Sequence, residues 1–135
     1  DLEEAYEIEV STNPSPWSFD SFKSSFEVGH QGLVCKEGGK ILGFLIFSAI
    51  RPEAHLLSIA VTETQQTKGM GSLLLKSMIN QCKAMGINQV FLEVRVSNEK
   101  AIAFYHKYGF KKNAIRDKYY SGDIPEDALL MSLRL

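Results

Sequence analysis

The segment of residues 59–72 constrains the fold more than any other part of this chain. A short apolar run at residues 59–61 leads into a polar loop, and Gly69 and Gly71 then open a long apolar helical pattern. The first N–H groups of a helix have no intrahelical partner, and they lie at the positive end of the helix dipole. Glycine lets an anion approach these groups closely. The pattern therefore predicts a phosphate-binding turn, which comprises Lys68, Gly69, Met70, Gly71 and Ser72.

The spacing of this turn differs from that of two well-known phosphate loops. It fits neither G-x-G-x-x-G nor the Walker pattern, in which Gly-Lys-Ser/Thr follows four spacer residues. A helix that merely begins with two flexible glycines is the alternative interpretation, although each Gly costs a helix about 1 kcal/mol relative to Ala.

Hydrophobic periodicity and turn residues predict the remaining elements. Ser18 and Asn98 are suited to cap helices, while Gly86 and Gly109 are suited to end them. The predicted helices cover residues 2–10, 19–28, 69–85 and 99–108. The predicted strands cover residues 33–36, 41–50, 55–61, 89–94, 110–116 and 128–135. This order predicts an α/β or α+β fold, in which helices flank a mixed sheet.

Composition indicates one globular domain over residues 1–135. Of the 135 residues, 44% are apolar and 23% are charged, and the formal charge is −1. This charge balance disfavours a nucleic acid or an anionic membrane as partner. The longest apolar run, residues 41–50, is too short to span a bilayer. Cys35 and Cys82 show no metal-site spacing, which favours a reducing, cytoplasmic compartment and no metal centre.

Two polar side chains stand out within otherwise structural segments. Glu93 interrupts Val90-Phe91-Leu92-Glu93-Val94, an apolar run typical of a central strand that is buried on both faces. A buried carboxylate is costly unless it is paired or protonated. Glu93 is therefore either a functional group or the salt-bridge partner of Arg95 or of a lysine on a neighbouring element. Tyr105 follows Asn98 on a short helix, where it is either a functional phenol or a core aromatic.

The chain carries two longer motifs, Gln66-x-x-Gly69-x-Gly71 at a helix start and Asn98-x-x-Ala101-x-x-x-Tyr105-x-x-x-Gly109-Phe110 downstream. Both motifs resemble those of the GNAT superfamily of N-acetyltransferases. Within that superfamily, further segments resemble the bacterial ribosomal-protein-alanine N-acetyltransferases. These segments are Pro16-Trp17-Ser18, Ile59-Ala60-Val61, Leu92-Glu93-Val94-Arg95, Ser97-Asn98, Tyr119-Tyr120 and Glu126-Asp127-Ala128.

The resemblance implies a single GNAT domain whose splayed strands hold acetyl-CoA as the acetyl donor, without a metal. The strand at residues 58–61 would part from the strand at residues 91–94, with the pantetheine arm in the opening. Many members carry Arg where this chain has Gln66, so we expect Lys68 to supply positive charge near the phosphates. The implied cofactor-binding residues are Ile59, Ala60, Val61, Gln66, Thr67, Lys68, Gly69, Met70, Gly71, Ser72 and Asn98.

The resemblance also implies an acceptor, the α-amine of an N-terminal alanine in a small-subunit ribosomal protein. Glu93 would act as general base and Tyr105 as general acid in a direct attack without an acyl-enzyme. The implied acceptor-channel residues, expected in loop-like segments, are Trp17, Tyr119 and Tyr120. The acidic residues expected either to attract a basic peptide or to form a solvated turn are Asp123, Glu126 and Asp127.

Two other functions fit the same residues. One is acetyl transfer to a different amine, such as a polyamine, an antibiotic or a lysine side chain, whose pKa of about 10.4 requires a stronger base. The other is a non-catalytic module that binds CoA, although the presence of both Glu93 and Tyr105 favours an enzyme. The expected partners are acetyl-CoA and a ribosomal-protein N-terminal peptide, with no nucleic acid or membrane, and we expect a monomer.

Overall fold

The computed structural model of the chain describes residues 2–12, 18–27, 30–62, 69–120 and 126–135. The helices in these residues are α1 (Leu2–Thr12), α2 (Phe19–Glu27), α3 (Met70–Ala84) and α4 (Glu99–Lys107). The strands are β1 (Gln31–Glu37), β2 (Lys40–Ile50), β3 (Glu53–Val61), β4 (Gln89–Arg95), β5 (Lys111–Tyr120) and β6 (Glu126–Arg134). Each of them corresponds to an element predicted from the sequence, with ends that differ by a few residues.

The described strands form one sheet in the order β1-β2-β3-β4-β6-β5. β3 and β4 are parallel, because α3 returns the chain from the end of β3 to the start of β4. β6 lies between β4 and β5 and is antiparallel to both. The sheet is therefore mixed and mostly antiparallel, which confirms the predicted fold class.

The ladder between β3 and β4 is short. It joins Glu53 to Gln89 and ends at the pair of His55 and Phe91. Beyond that pair, β3 remains paired with β2 and β4 remains paired with β6. The two parallel strands therefore part from one another, which confirms the splay expected between residues 58–61 and 91–94.

A β-bulge in β3 lies directly beyond the last pair with β4. Leu56 and Ser58 pair with adjacent residues of β2, so Leu57 is an extra residue in the ladder. An extra residue reverses the face to which the following side chains point. Leu56 and Val61 consequently pack in the same core cluster, although they lie at odd spacing along one strand.

Apolar side chains pack on both faces of the sheet. α1 and α2 cover β2 and the end of β3 on one face, where Ile8 and Phe22 pack against Phe44. α3 and α4 cover the other face with a larger cluster. The buried residues that α3 supplies to this cluster are Leu74, Leu75, Met78 and Cys82. The long apolar helical pattern predicted after Gly69 and Gly71 is thus confirmed, and its buried residues form an apolar stripe along α3.

Two expectations about the second half of the sheet are wrong. Tyr119 and Tyr120 lie in a strand rather than in a loop, because the β5–β6 ladder continues as far as the pair of Tyr120 and Glu126. β4 is not buried on both faces, since buried residues alternate with partly exposed ones along it. The apolar contacts of α1 and α2 are with β2 and the end of β3, so these helices leave the second face of β4 partly open.

The predicted cap of α2 is confirmed, since the Ser18 Oγ accepts a hydrogen bond from the Ser21 N–H at 3.1 Å. Gly29, which was expected to end this helix, lies outside the described residues. None of the helices that the structure describes is long and apolar enough to cross a membrane.

Candidate functional site

At the start of α3 the first backbone N–H groups are not used by the helix itself. Gly69 precedes the helix with φ 80° and ψ 7°, in the left-handed region that favours glycine, and no side chain of the described residues caps the helix. The first intrahelical bond runs from the Leu73 N–H to the Gly69 carbonyl at 3.0 Å. The N–H groups of Met70, Gly71 and Ser72 therefore take no part in the helix ladder, and they lie at its positive end.

The first turn of α3 packs between the end of β3 and α4. A Cβ placed on Gly71 would lie 3.7 Å from the Phe104 ring and 4.0 Å from a methyl group of Val61. Val61 is the last residue of β3, and Phe104 belongs to α4. The first N–H groups of α3 therefore adjoin the end at which β3 and β4 lie apart.

One hydrogen bond caps the start of α4, and another places its end beside this turn. The Asn98 Oδ1 accepts from the Ala101 N–H at 3.1 Å, which confirms the predicted cap. The Tyr108 hydroxyl donates to the Ser72 Oγ and so joins the end of α4 to the first turn of α3. The Lys76 ammonium group lies 5.7 Å from the centroid of the Tyr108 ring. The hydroxyl of Ser72 is thus occupied within the protein, whereas its N–H group is not used by the helix.

The backbone of β3 directs alternate N–H groups toward the splay. The Thr62 N–H donates to the Leu42 carbonyl of β2 at 2.9 Å. Because successive backbone groups of a strand alternate in direction, the Ala60 N–H also points toward β2. The N–H groups of Ile59 and Val61 point to the opposite side, which is the side on which β4 diverges.

Glu93 lies on β4, two residues beyond the last pair with β3. Its Oε1 is 3.2 Å from the Arg116 Nη1 of β5, and the two side chains are 28% and 55% exposed, respectively. The salt-bridge partner is therefore Arg116, and not Arg95 or a lysine as the structural interpretation expected. The Glu93 Oε2 is buried and forms no hydrogen bond within the described residues. A buried acceptor without a donor is unfavourable, so Oε2 is the atom of Glu93 that would gain most from an incoming donor.

Tyr105 lies near the same strand but beyond its other face. Its side chain is buried in the cluster of α3 and α4, and its ring centroid lies 5.4 Å from that of Phe104 and 5.7 Å from that of Phe110. Leu92 and Val94 pack in the same cluster. Because alternate residues of a strand face opposite sides, Glu93 and Tyr105 lie on opposite faces of β4.

The cysteines do not offer an activated nucleophile. Cys82 is buried in the core, where it packs with the other apolar residues of α3. Burial raises the pKa of the Cys82 thiol and also that of the Cys35 thiol. A thiolate, and not a thiol, is the nucleophilic form, so neither group is prepared to carry an acyl intermediate. The described part of the chain also contains no group of three or more side chains arranged to hold a metal ion.

Several predicted site residues fall outside the described part of the chain. They are Trp17, Gln66, Thr67, Lys68 and Asp123. The backbone of Tyr119 and Tyr120 ends β5, while Asp127 is partly buried at the start of β6. In the structure, the parted ends of β3 and β4, the first turn of α3 and α4 thus lie together. The acceptor channel stays a prediction.

Two charged residues near the splay were not singled out from the sequence. Glu9 of α1 is 1% exposed, and its Oε1 accepts a hydrogen bond of 3.4 Å from the Ser58 hydroxyl, next to the bulge. Arg116 pairs with Glu93 across the strand that lies between them. Neither residue shows a local signal, because both contacts join parts of the chain that are distant in sequence.

Comparisons with known proteins agree with this arrangement. A family model described as the acetyltransferase (GNAT) family matches residues 2–110. A ribosomal protein bS18-alanine N-acetyltransferase from Escherichia coli strain K12 is 37% identical over 134 residues, which cover 98% of this chain and 90% of that protein. The crystal structure of the ribosomal-protein-S18-alanine N-acetyltransferase from Escherichia coli matches with a TM-score of 0.93 and 37% identity, covering 99% of this chain and 87% of that one. A Bacillus subtilis acetyltransferase in complex with CoA shares the fold, with a TM-score of 0.85, 24% identity and coverage of 98% and 92%.

The left-handed start of α3 can be tested by Gly69→Ala. This change is expected to lower the free energy of unfolding by about 1–2 kcal/mol, because a Cβ is unfavourable in the left-handed region. Gly71→Ala is the matched control, since the nearest atom would be 3.7 Å away and no loss is expected. Urea unfolding of both variants measures the difference, and equal losses would contradict the conformation of Gly69.

Proposed function

The chain belongs to the GNAT family of acetyltransferases, and from this premise we propose that it acetylates the α-amine of an N-terminal alanine in a small-subunit ribosomal protein. Acetyl-CoA is the proposed donor. The Escherichia coli relative, whose name gives this activity on protein bS18, matches 98% of the chain at 37% identity. The structural observation that carries the proposal is that β3 and β4 part beside the start of α3, where the helix leaves its first N–H groups unused.

The donor fits the backbone N–H groups of β3 and of the α3 turn by its chemistry. The N–H groups of Met70, Gly71 and Ser72 suit a diphosphate, and Lys68 adds the positive charge expected from the sequence. The N–H groups of Ile59 and Val61 suit the amides of the pantetheine arm and the thioester carbonyl. Gln66, Thr67 and Asn98 complete the proposed set. The side-chain amide of Asn98 keeps its NH2 group as a donor, because its Oδ1 already accepts from the Ala101 N–H.

The reaction needs one proton acceptor and one proton donor. An α-amino group has a pKa of about 7.7–8.0, so much of it is protonated near neutral pH. In the proposed reaction the amine nitrogen attacks the thioester carbon, the carbon–sulfur bond breaks, and an amide and CoA form. Glu93 accepts the proton of the amine, directly or through a water, and Tyr105 gives a proton to the departing sulfur. No acyl-enzyme forms, in accord with the raised pKa of the Cys82 thiol.

The opposite placement of Glu93 and Tyr105 suits these two roles. A thioester held between the parted strands would lie in the plane of the sheet. Glu93 lies on one face of β4 and Tyr105 lies beyond the other. An amine that adds to the carbonyl carbon from the Glu93 face makes that carbon tetrahedral and bends the sulfur toward the Tyr105 face, and the carbon–sulfur bond then breaks as the carbonyl re-forms. The general base and the general acid would then act on opposite sides of the same carbonyl carbon.

The acceptor channel is the least constrained part of the proposal. Trp17, Tyr119 and Tyr120 would line it, while the acidic residues near the start of β6 would attract a basic peptide. The enzyme would encounter the flexible N-terminus of a ribosomal protein where ribosomes assemble. We therefore place the reaction in the cytoplasm. We propose that the chain acts as a monomer, with no nucleic acid or membrane as partner.

The acceptor can be tested with a peptide that begins with alanine and contains one internal lysine. We expect acetyl transfer to the α-amine, located by fragment mass spectrometry, and none to the lysine. The control peptide carries a blocked N-terminus and the same lysine. Acetylation of the lysine alone, or of polyamines alone, would contradict the proposed α-amine acceptor. Binding of acetyl-CoA without turnover on any amine would indicate a non-catalytic module.

The general base can be tested by Glu93→Gln. We expect kcat to fall about 100-fold or more, within the range of 10²–10⁴ for general acid–base catalysis, because Gln cannot accept the proton. The Kd of acetyl-CoA, measured by calorimetry, should stay within about twofold of wild type, since the diphosphate and pantetheine donors are unchanged. Tyr105→Phe should lower kcat in the same assay. An unchanged kcat in Glu93→Gln would refute its role.

A further inference from the structure

We propose that Arg116 is a positioning residue for the proposed base, Glu93, and not only part of a surface salt bridge. Its guanidinium holds the Glu93 Oε1 and thereby leaves the Oε2 as the atom that meets the acceptor amine. This inference rests on the proposed function, since it assigns the orientation of the base in that reaction.

The contact joins two strands that are not neighbours. β6 lies between β4 and β5, so Arg116 must reach across one strand, about 10 Å from its own strand to β4. Arg116 pairs with Ala128 of β6, and Ala128 pairs with Arg95 of β4. The side chain that separates Arg116 from β4 in this row is therefore a single methyl group. A long side chain on β5 can cross β6 there and reach the carboxylate.

The two oxygens of the Glu93 carboxylate have different surroundings. Oε1 is paired with Arg116 at 3.2 Å, whereas Oε2 is buried and without a hydrogen bond within the described residues. A carboxylate without such an anchor could turn and present either oxygen. The ion pair removes this freedom and fixes one oxygen for proton transfer, which requires a base within hydrogen-bond reach.

A purely structural role explains the pair less well. Arg116 is more than half exposed, and exposed ion pairs contribute little to stability. The pairing does have a direct consequence for the direction in which Glu93 points. Arginine suits this task better than lysine, because the planar guanidinium is pre-organised and loses less freedom for each hydrogen bond that it forms.

The experiment compares Arg116→Gln and Arg116→Lys with Arg134→Gln, a matched change at an exposed arginine on the neighbouring strand. With acetyl-CoA and the alanine peptide, we expect Arg116→Gln to lower kcat about 10- to 100-fold, the range that misplacement of a catalytic group produces. Arg116→Lys should recover a large part of that loss. The KM of acetyl-CoA and the melting temperature of the Arg116 variants should match those of Arg134→Gln.

The same substitution in the Glu93→Gln background separates positioning from direct action. If Arg116 acts through Glu93, Arg116→Gln should lower kcat no further in that background. A further drop of the same size would overturn the proposal, as would a kcat within twofold of wild type for Arg116→Gln alone. If the proposed acceptor is wrong, the wild-type protein will not acetylate the α-amine of the alanine peptide, and this result does not depend on the Arg116 variants. The Arg116 comparison is then made on the amine that wild type does acetylate.

Discussion

The incomplete ladder between β3 and β4 is the constraint on which the rest of the structure depends. Parallel strands normally pair along their shared length, and unpaired backbone groups in a protein interior are unfavourable. Here the pairing ends at His55 and Phe91, and the bulge at Leu57 follows at once. The cost is offset if a ligand with its own amides completes the hydrogen bonding. A pantetheine arm has this chemistry, and this connects the geometry of one strand pair to the proposed donor.

The surrounding elements place chemistry at the ends and faces of this opening. The first turn of α3 packs against Val61 at the end of β3, and the N–H groups that the helix does not use lie there. β4 carries Glu93 on one face and packs beneath Tyr105 on the other. β6 then makes room for a distant arginine to reach Glu93, because it presents Ala128 at the crossing. The proposed proton transfer, diphosphate binding and amide recognition thus depend on β4, the first turn of α3 and the end of β3, which meet where β3 and β4 part.

The sequence predicted local features well and long-range pairings poorly. The caps at Ser18 and Asn98, the order of the elements and the apolar stripe of α3 follow from rules that act over a few residues, and all are confirmed. The extension of β5 to Tyr120 and the pairing of Arg116 with Glu93 depend on β6, which is inserted between strands that precede it in the chain. Such an insertion leaves no trace in local periodicity. The splay itself was expected only from the resemblance, because no pattern within β3 or β4 indicates where their pairing ends.

Amide hydrogen exchange gives the most direct test of the central claim, that the parted strands receive the pantetheine arm. The amide of Ile59 should exchange more slowly when acetyl-CoA is added, together with those of Met70, Gly71 and Ser72, because each gains an acceptor. The amide of Ala60, which points toward β2, serves as the internal control and should keep its rate. Protection that appears on the outer strands β1 and β5, while Ile59 is unchanged, would contradict the account.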